Sequence, residues 1–347
     1  MKRAEICNFS AGPSMLPTSV LNKIRDQLLN YNETGMSVME LSHRSSTFEQ
    51  ILTATEQNLR KLLNIPSNYQ ILFMQGGGTT QFSSIPLNFC EQDDIVSYCV
   101  SGVWSSKAAE EAKKYAQVQI VDNEHWSINN KAKYLYYCDN ETINGIELPV
   151  VPPETDIPLI CDMSSNFLSR RFDITRYAMI FAGAQKNFGI AGLTIVIIRS
   201  DFLQSSPRLY TPTMLNYSLM SSNKSMYNTP PTFAIYVSKL VTEWLLEQGG
   251  IAALEERNAE KARMLYETID ASELFFNDVD PPYRSRMNVI FKCKDASREK
   301  EFIEQAEQAG LYELVGHRSV GGFRASLYNA VTREMVDKLC KFIQEFR

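Results

Sequence analysis

Lys186 stands in Phe181-Ala-Gly-Ala-Gln-Lys-Asn-Phe-Gly-Ile-Ala-Gly192, directly after an apolar run and among small residues that leave its ammonium open to approach. Apolar crowding disfavours the charged form, so a lysine at a strand end can act as a nucleophile or Schiff-base amine. A lysine snorkelling from a strand end is the ordinary alternative. Asp162 follows the apolar run Pro158-Leu-Ile-Cys161, at the carboxyl end of an expected central strand, where α/β sheets place ligand-binding groups. Between Met74 and a helix-compatible stretch lies Gln75-Gly-Gly-Gly-Thr-Thr-Gln81, whose glycines would let backbone N–H groups approach a phosphate.

Each of these signals is weak alone. Asp162 needs a cationic or hydrogen-bonding partner, and the protonated nitrogen of a pyridine ring, as in pyridoxal phosphate enzymes, is one candidate. A helix cap or surface ion pair would look the same. The glycine loop fails two rival motifs: a dinucleotide fingerprint starting at Gly76 needs Gly or Ala where Gln81 stands, and a P-loop needs Lys where Thr79 stands. Trp104, just past another apolar run, could stack on a planar cofactor, although a core position is its commoner fate. His43-Arg44 and His317-Arg318, with Arg324 beyond, could converge on phosphate or carboxylate, while each pair alone reads as a solvated turn.

The elements that must position these groups alternate between short β-branched runs and helical segments from about residue 21 to 199, the pattern of an α/β fold. Strands are expected at 69–74, 94–100, 117–121, 134–138, 158–161, 178–182 and 193–198. Their near-continuous apolar character fits a mostly parallel seven-stranded sheet covered on both faces. Leu21, Ile24, Leu28 and Leu29 mark one amphipathic helix, and Ser46 with Glu49 forms a capping-box pattern opening a second. A helix over 231–248 ends at Gly249-Gly250, and a polar helix over 251–270, with Glu255, Glu256, Lys261 and Arg263, reads as a connector. The tail reads strand 287–293, helix 296–309, strand 322–328 and helix 332–346, a smaller C-terminal βαβα domain. The expected division is an N-terminal segment 1–15 packing with the small domain, a large domain 16–250 and a small domain 251–347.

Composition narrows the function classes. The 347 residues carry 44% hydrophobic and 22% charged residues, a folded rather than disordered balance. A net charge of -5 argues against broad binding to nucleic acid or anionic membrane. No apolar run approaches the length of about 18 residues that a membrane span needs, and Met1 to Ser10 lacks a secretion core. The cysteines Cys7, Cys90, Cys99, Cys138, Cys161, Cys293 and Cys340 are odd in number and contain no CxxC pair, so buried free thiols in a reducing cytoplasm are expected, with no metal.

Eight motifs in order carry a nearly end-to-end resemblance. They are Asn8-Phe-Ser-Ala-Gly-Pro13, Ser37-Val-Met-Glu-Leu-Ser-His-Arg44, Gly76-Gly-Gly78 with Gln81-Phe82, Asn140-Glu-Thr142, Gly183-Ala-Gln-Lys-Asn187, Tyr227-Asn-Thr-Pro-Pro231, Arg284-Ser-Arg-Met-Asn288 and Gly316-His-Arg318. The chain resembles the phosphoserine aminotransferase family, pyridoxal phosphate enzymes of fold type I and class V. The resemblance implies transfer of an amino group from L-glutamate to 3-phosphohydroxypyruvate by a ping-pong mechanism in serine biosynthesis. It leaves open a side activity on 4-phosphohydroxythreonine in vitamin B6 synthesis.

Carried over, the resemblance implies one pyridoxal 5'-phosphate per subunit, held as a Schiff base on Lys186, with Asp162 facing the pyridine nitrogen. Trp104 would stack on the ring, Thr142 would bond near the ring hydroxyl, and Gly78, Thr79 and Gln185 would help hold the phosphate. Asn228 and Thr229 would reach the neighbouring subunit's cofactor, which implies a homodimer with active sites at its interface. Arg324 would bind the substrate α-carboxylate, and His43, Arg44, His317 and Arg318 its far end. Three departures stand out: Thr79 replaces a frequent arginine, Ala11 replaces a frequent serine near the substrate, and the stretch from about 121 to 134 is shorter. Two alternatives remain: another class-V enzyme such as an alanine:glyoxylate aminotransferase, or a non-catalytic phosphate-binding protein.

Overall fold

The computed structural model describes residues 2–346 apart from 124–125, 150–151, 153 and 205–206, so part of the short 121–134 stretch lies outside the described residues. Seven strands form one sheet: β1 (Tyr69–Met74), β2 (Ile95–Cys99), β3 (Gln117–Val121), β4 (Leu135–Cys138), β5 (Leu159–Asp162), β6 (Met179–Gly183) and β7 (Thr194–Arg199). Their order is β1-β7-β6-β5-β4-β2-β3. The β2–β3, β2–β4, β4–β5 and β5–β6 pairs are parallel, and β7 runs antiparallel to both its neighbours.

The alternation of side chains across each strand explains why the sheet is covered twice. Ile71, Phe73, Ile180 and Ala182 enter one core with Phe48 and Ile51 of the helix Ser46–Leu63 and Ile235 and Leu240 of Thr232–Glu247. Leu72, Met74, Met179 and Phe181 enter the opposite core with Phe82 and Ile85 of the helix Gly77–Phe89 and Ala108 and Ala109 of Val103–Ala112. Burying both faces is what makes the inner strands read as unbroken apolar runs, whereas the edge strand β3, expected to be covered as well, leaves Gln117, Gln119 and Ile120 exposed.

A third core lies beyond residue 260, where Leu265 and Ile269 pack with Val289, Phe291, Phe302, Phe323 and Leu339. Its sheet has three antiparallel strands, Phe275–Phe276, Asn288–Cys293 and Phe323–Ser326. The expected βαβα unit is thus corrected: the two long strands pair antiparallel, and the helix Glu299–Gln308 feeds a further short strand, Leu311–Tyr312, before the chain returns. That short strand pairs in parallel with Cys7–Asn8 as a separate two-stranded sheet, and with Cys7 and Phe9 in the third core and Ser326 N donating to Phe9 O at 3.1 Å the N-terminus is tied to this part of the chain.

Three local readings also shift. The first helix spans Thr18–Gln27, so Leu28 and Leu29 lie beyond it, and Leu29 is 84% exposed. The second helix is capped by Ser45 rather than Ser46, its hydroxyl accepting from Phe48 N at 3.2 Å. Lys261, taken for the polar face of a connector, is buried on the helix Gly250–Asp270. Among the described residues no helix is long and apolar enough to cross a membrane, and no cluster of three or more His, Cys, Asp or Glu could hold a metal ion. All seven cysteines are free and buried.

Candidate active site

Register fixes the site before any side chain is considered. Cys138 pairs with Asp162 and Asp162 with Phe181, so β4, β5 and β6 end together at one edge. Asp162 is the last residue of β5, and Lys186 comes three residues after the end of β6. The carboxyl edge of a parallel sheet is where such folds bind ligands. The helices Gly77–Phe89 and Val103–Ala112 both begin at this edge and bring Gly78, Thr79 and Trp104 to it.

These elements enclose a cleft of about 450 Å³ of atom-free space that includes its open mouth. Gly78, Thr79, Trp104, Thr142, Asp162, Gln185 and Lys186 all line it. Residues separated by up to 108 positions therefore converge. His43, Arg44, Asn228, Thr229, His317, Arg318 and Arg324 are not among its lining residues. Arg324 touches the wall, donating from Nη1 to Thr142 O at 3.4 Å, and burial lowers its pKa. Asn228 and Thr229 are exposed in the loop after residue 222, where Thr229 O accepts from Gln75 Nε2 at 3.4 Å. His43 is half-buried with Nε2 unpartnered among the described residues, and Arg44 is exposed.

Lys186 Nζ donates to Ala11 O at 2.6 Å and lies 5.9 Å from the centroid of the Tyr328 ring. Ala11 O also accepts from Tyr328 OH at 2.9 Å. The loop bearing the lysine is clamped by Ser14, whose backbone N donates to Gln185 O at 2.9 Å and whose hydroxyl donates to Lys186 O. So the segment whose start pairs with the small sheet ends by bracing the lysine. Gly12 is shaped for this: its φ is +138°, and a methyl there would lie 3.2 Å from the Lys186 side chain.

Asp162 is buried, and desolvation pushes its carboxyl up to about 6, against the pull of its bonds to Ser164 and of the Lys186 charge. Ser164 N donates to its Oδ1 at 2.9 Å, while a methyl on Gly78 would lie 4.0 Å from Oδ2. That second oxygen faces the cleft wall without a cation bonded to it. Across from it the helix Gly77–Phe89 begins at Gly76 with no side-chain cap, leaving its first N–H groups for a ligand.

Glu141 is the functional residue that sequence reasoning missed. Its Oε2 accepts from Trp104 N at 2.8 Å, and its Oε1 accepts from Ser105 N at 2.8 Å and Ser105 Oγ at 2.6 Å. Asn144 Oδ1 accepts from Val103 N at 3.0 Å. One short segment, 140–145, thus supplies Thr142 to the cleft and caps the helix that presents Trp104. Gly102 has no room for a side chain here, since a methyl would lie 2.6 Å from Glu141 Cγ. Burial raises the Glu141 pKa in spite of its three bonds. The available signal was an acidic residue flanked by Asn140 and Thr142 just after the wholly buried strand β4.

The sequence profile of the class-V aminotransferases matches residues 6–339. A phosphoserine aminotransferase of Bacillus thuringiensis subsp. konkukian is 48% identical over 353 residues, covering 98% of each chain. The solved phosphoserine aminotransferase of Bacillus circulans subsp. alkalophilus superposes with a TM-score of 0.95 at 40% identity, covering 98% of this chain and 97% of that one. The pyridoxal phosphate-bound enzyme of Trichomonas vaginalis superposes with a TM-score of 0.94 at 41% identity, covering 98% of this chain and 100% of its own.

Proposed function

This chain belongs to the class-V aminotransferase family and, within it, to the phosphoserine aminotransferases, and from that premise we propose that it carries the amino group of L-glutamate to 3-phosphohydroxypyruvate, giving O-phospho-L-serine and 2-oxoglutarate. It is a pyridoxal phosphate-dependent aminotransferase of the fold-type I architecture. The observation that carries the cofactor reading is the meeting, in one cleft, of Lys186, buried Asp162, Trp104 and an uncapped helix N-terminus, and the substrate reading is supported by the 48% identity over 98% of each chain to a phosphoserine aminotransferase.

Those residues fit the cofactor chemically. An ammonium held by a carbonyl rather than a carboxylate is available to react. A buried carboxylate lining the cleft at a strand end suits a protonated ring nitrogen, and bare helix N–H groups suit a phosphate. Lys186 is assigned as the attachment point, Gly78, Thr79 and Gln185 as phosphate contacts, and Thr142 and Trp104 as contacts to the ring. Asn228 and Thr229 are assigned to the neighbouring subunit's cofactor in a homodimer, since in one chain both stand exposed and outside the cleft.

Bound pyridoxal phosphate supplies an electron sink conjugated to the amino acid's α-carbon. Lys186 would anchor the cofactor, and its amine would serve as the general base that takes the substrate's α-proton and as the acid that gives it back. Asp162, as a carboxylate, would hold the ring nitrogen and keep it protonated. Arg324 binds the α-carboxylate, with main-chain groups at Ala11 beside it. His43, Arg44, His317 and Arg318 take the far end, where one basic cluster must accept both a γ-carboxylate and a phosphate. Free buried thiols favour the cytoplasm, and the same reading divides the chain at residues 15 and 250.

The test is the visible spectrum of the purified, cofactor-loaded protein. The expected result is a yellow protein bleached by glutamate and recoloured by 3-phosphohydroxypyruvate. Colour restored only by an unphosphorylated keto acid would overturn the substrate assignment.

A further inference from the structure

One cation at the cleft has no part in the reading above. Lys107 lies one turn beyond Trp104 on the helix Val103–Ala112, with its Nζ 4.6 Å from the centroid of the Trp104 ring, a cation–π distance. Further along, Lys113 pairs with Glu110 and Lys114 with Glu111. Lys107 is exposed and has no ion-pair partner among the described residues. Its ammonium rests over a side chain that lines the cleft, with no carboxylate paired to it among the described residues.

The small domain approaches the same place from the other side. The His317 pKa is lowered by burial and then by the charges of Arg324, Arg318 and Lys107. Geometry agrees: Val320 of the same loop shares a cavity with Ser101, just before the helix that bears Lys107, and Arg324 reaches Thr142, which lines the cleft with Trp104. His317 Nδ1 is 2.7 Å from Ser319 Oγ, and Arg324 reaches Thr142 O, so neither bonds a carboxylate. A set of cations with no anion between them is relieved by a bound anion, and the relief grows with the anion's charge.

We propose that Lys107 is a specificity-determining residue, completing the distal-anion subsite from the Trp104 side and favouring a phosphorylated substrate over glutamate. The proposal rests on the substrate reading given above. A phosphate monoester carries about -1.5 to -2 charges at neutral pH against -1 for a γ-carboxylate, so an added cation discriminates between them. Lys107 also comes from the element that holds Trp104, so the distal charge is read in register with the ring contact.

The experiment is steady-state kinetics of the loaded enzyme with both substrates, comparing wild type, Lys107→Met and Lys107→Arg. Lys107→Met keeps an apolar stem against Trp104 and removes the charge. KM for 3-phosphohydroxypyruvate is expected to rise about tenfold and KM for glutamate less than about threefold, with Lys107→Arg restoring most of the difference. The salt dependence of KM for the phosphorylated substrate should weaken in Lys107→Met. A packing defect would move both KM values together. Equal effects on both substrates, or no effect on either, overturn the role of Lys107. Wild type that uses only unphosphorylated keto acids overturns the substrate reading itself and this proposal with it.

Discussion

Glu141→Gln tests whether the helix cap, rather than the cleft wall alone, sets the position of Trp104. The wild-type carboxylate accepts three bonds of 2.6–2.8 Å from Trp104 N, Ser105 N and Ser105 Oγ. Hydrogen bonds to a charged group are each worth about 1.5–3 kcal/mol, and a negative charge at a partly buried helix N-terminus adds up to about 2 kcal/mol. Glutamine keeps one acceptor oxygen but loses the charge, and its NH2 must face an N–H donor. Some of the loss is returned because the buried carboxylate no longer has to be desolvated, as its raised pKa indicates. The net expectation is a destabilisation of about 2–4 kcal/mol. Trp104 should shift by enough to lower kcat/KM by about ten- to a hundredfold. Urea unfolding measures the first, and the near-UV dichroism of the protein with the visible dichroism of its bound cofactor measures the second. A variant within about 0.5 kcal/mol of wild type with unchanged dichroism would refute the assignment.

Lys186→Ala should abolish turnover and borohydride trapping of the cofactor while leaving the far-UV spectrum intact; full activity would end the reading. For Asp162, the folded pKa of about 6 lies above an unfolded value near 3.9, so between those pH values the folded cofactor-free protein holds more protons than the unfolded chain. Its stability should therefore fall by about 3 kcal/mol as pH rises from about 4 to above 6, and Asp162→Asn should remove that slope in urea titrations; an unchanged slope would contradict it. Lys261 donates to Leu327 O, Tyr328 O and Val331 O at 2.8–3.0 Å, holding the turn that seats Tyr328 beside Ala11. Burial and then the Arg257 charge pull its pKa down to about 7, although only the –NH3+ form has the three N–H groups that these three carbonyls take. Lys261→Met leaves these carbonyls unpartnered and should cost about 2–4 kcal/mol in unfolding measurements, after relief of the buried charge; a more stable variant would show that the desolvation term wins.

The residues that do the chemistry were legible because their signals are local. A strand buried on both faces has to be apolar throughout, so β1, β2 and β4 to β7 announce themselves within a residue or two of their observed ends, while the exposed edge strand β3 is marked only by its β-branched Val118, Ile120 and Val121. Gly76 to Gly78 mark a backbone that a ligand approaches, and Lys186 and Asp162 mark strand ends by following apolar runs. The eight motifs then add what spacing alone left open, since any one of these signals has an ordinary structural explanation.

Other features depended on pairings that no short window contains. The sequence does not state that β7 inserts antiparallel between β1 and β6, because that order is settled by which ladders and faces can be satisfied together. Ser45 displaces Ser46 as a cap because the turn at His43 and Arg44 sets where the helix begins. Glu141 meets Trp104 across 37 positions, Ala11 meets Lys186 across 175, and Lys261 meets Leu327 across 66. Each is a polar group whose partner is supplied by another part of the chain. Composition along the sequence determined which residues could react, while the need to satisfy every buried donor and acceptor decided in three dimensions which of them are held still.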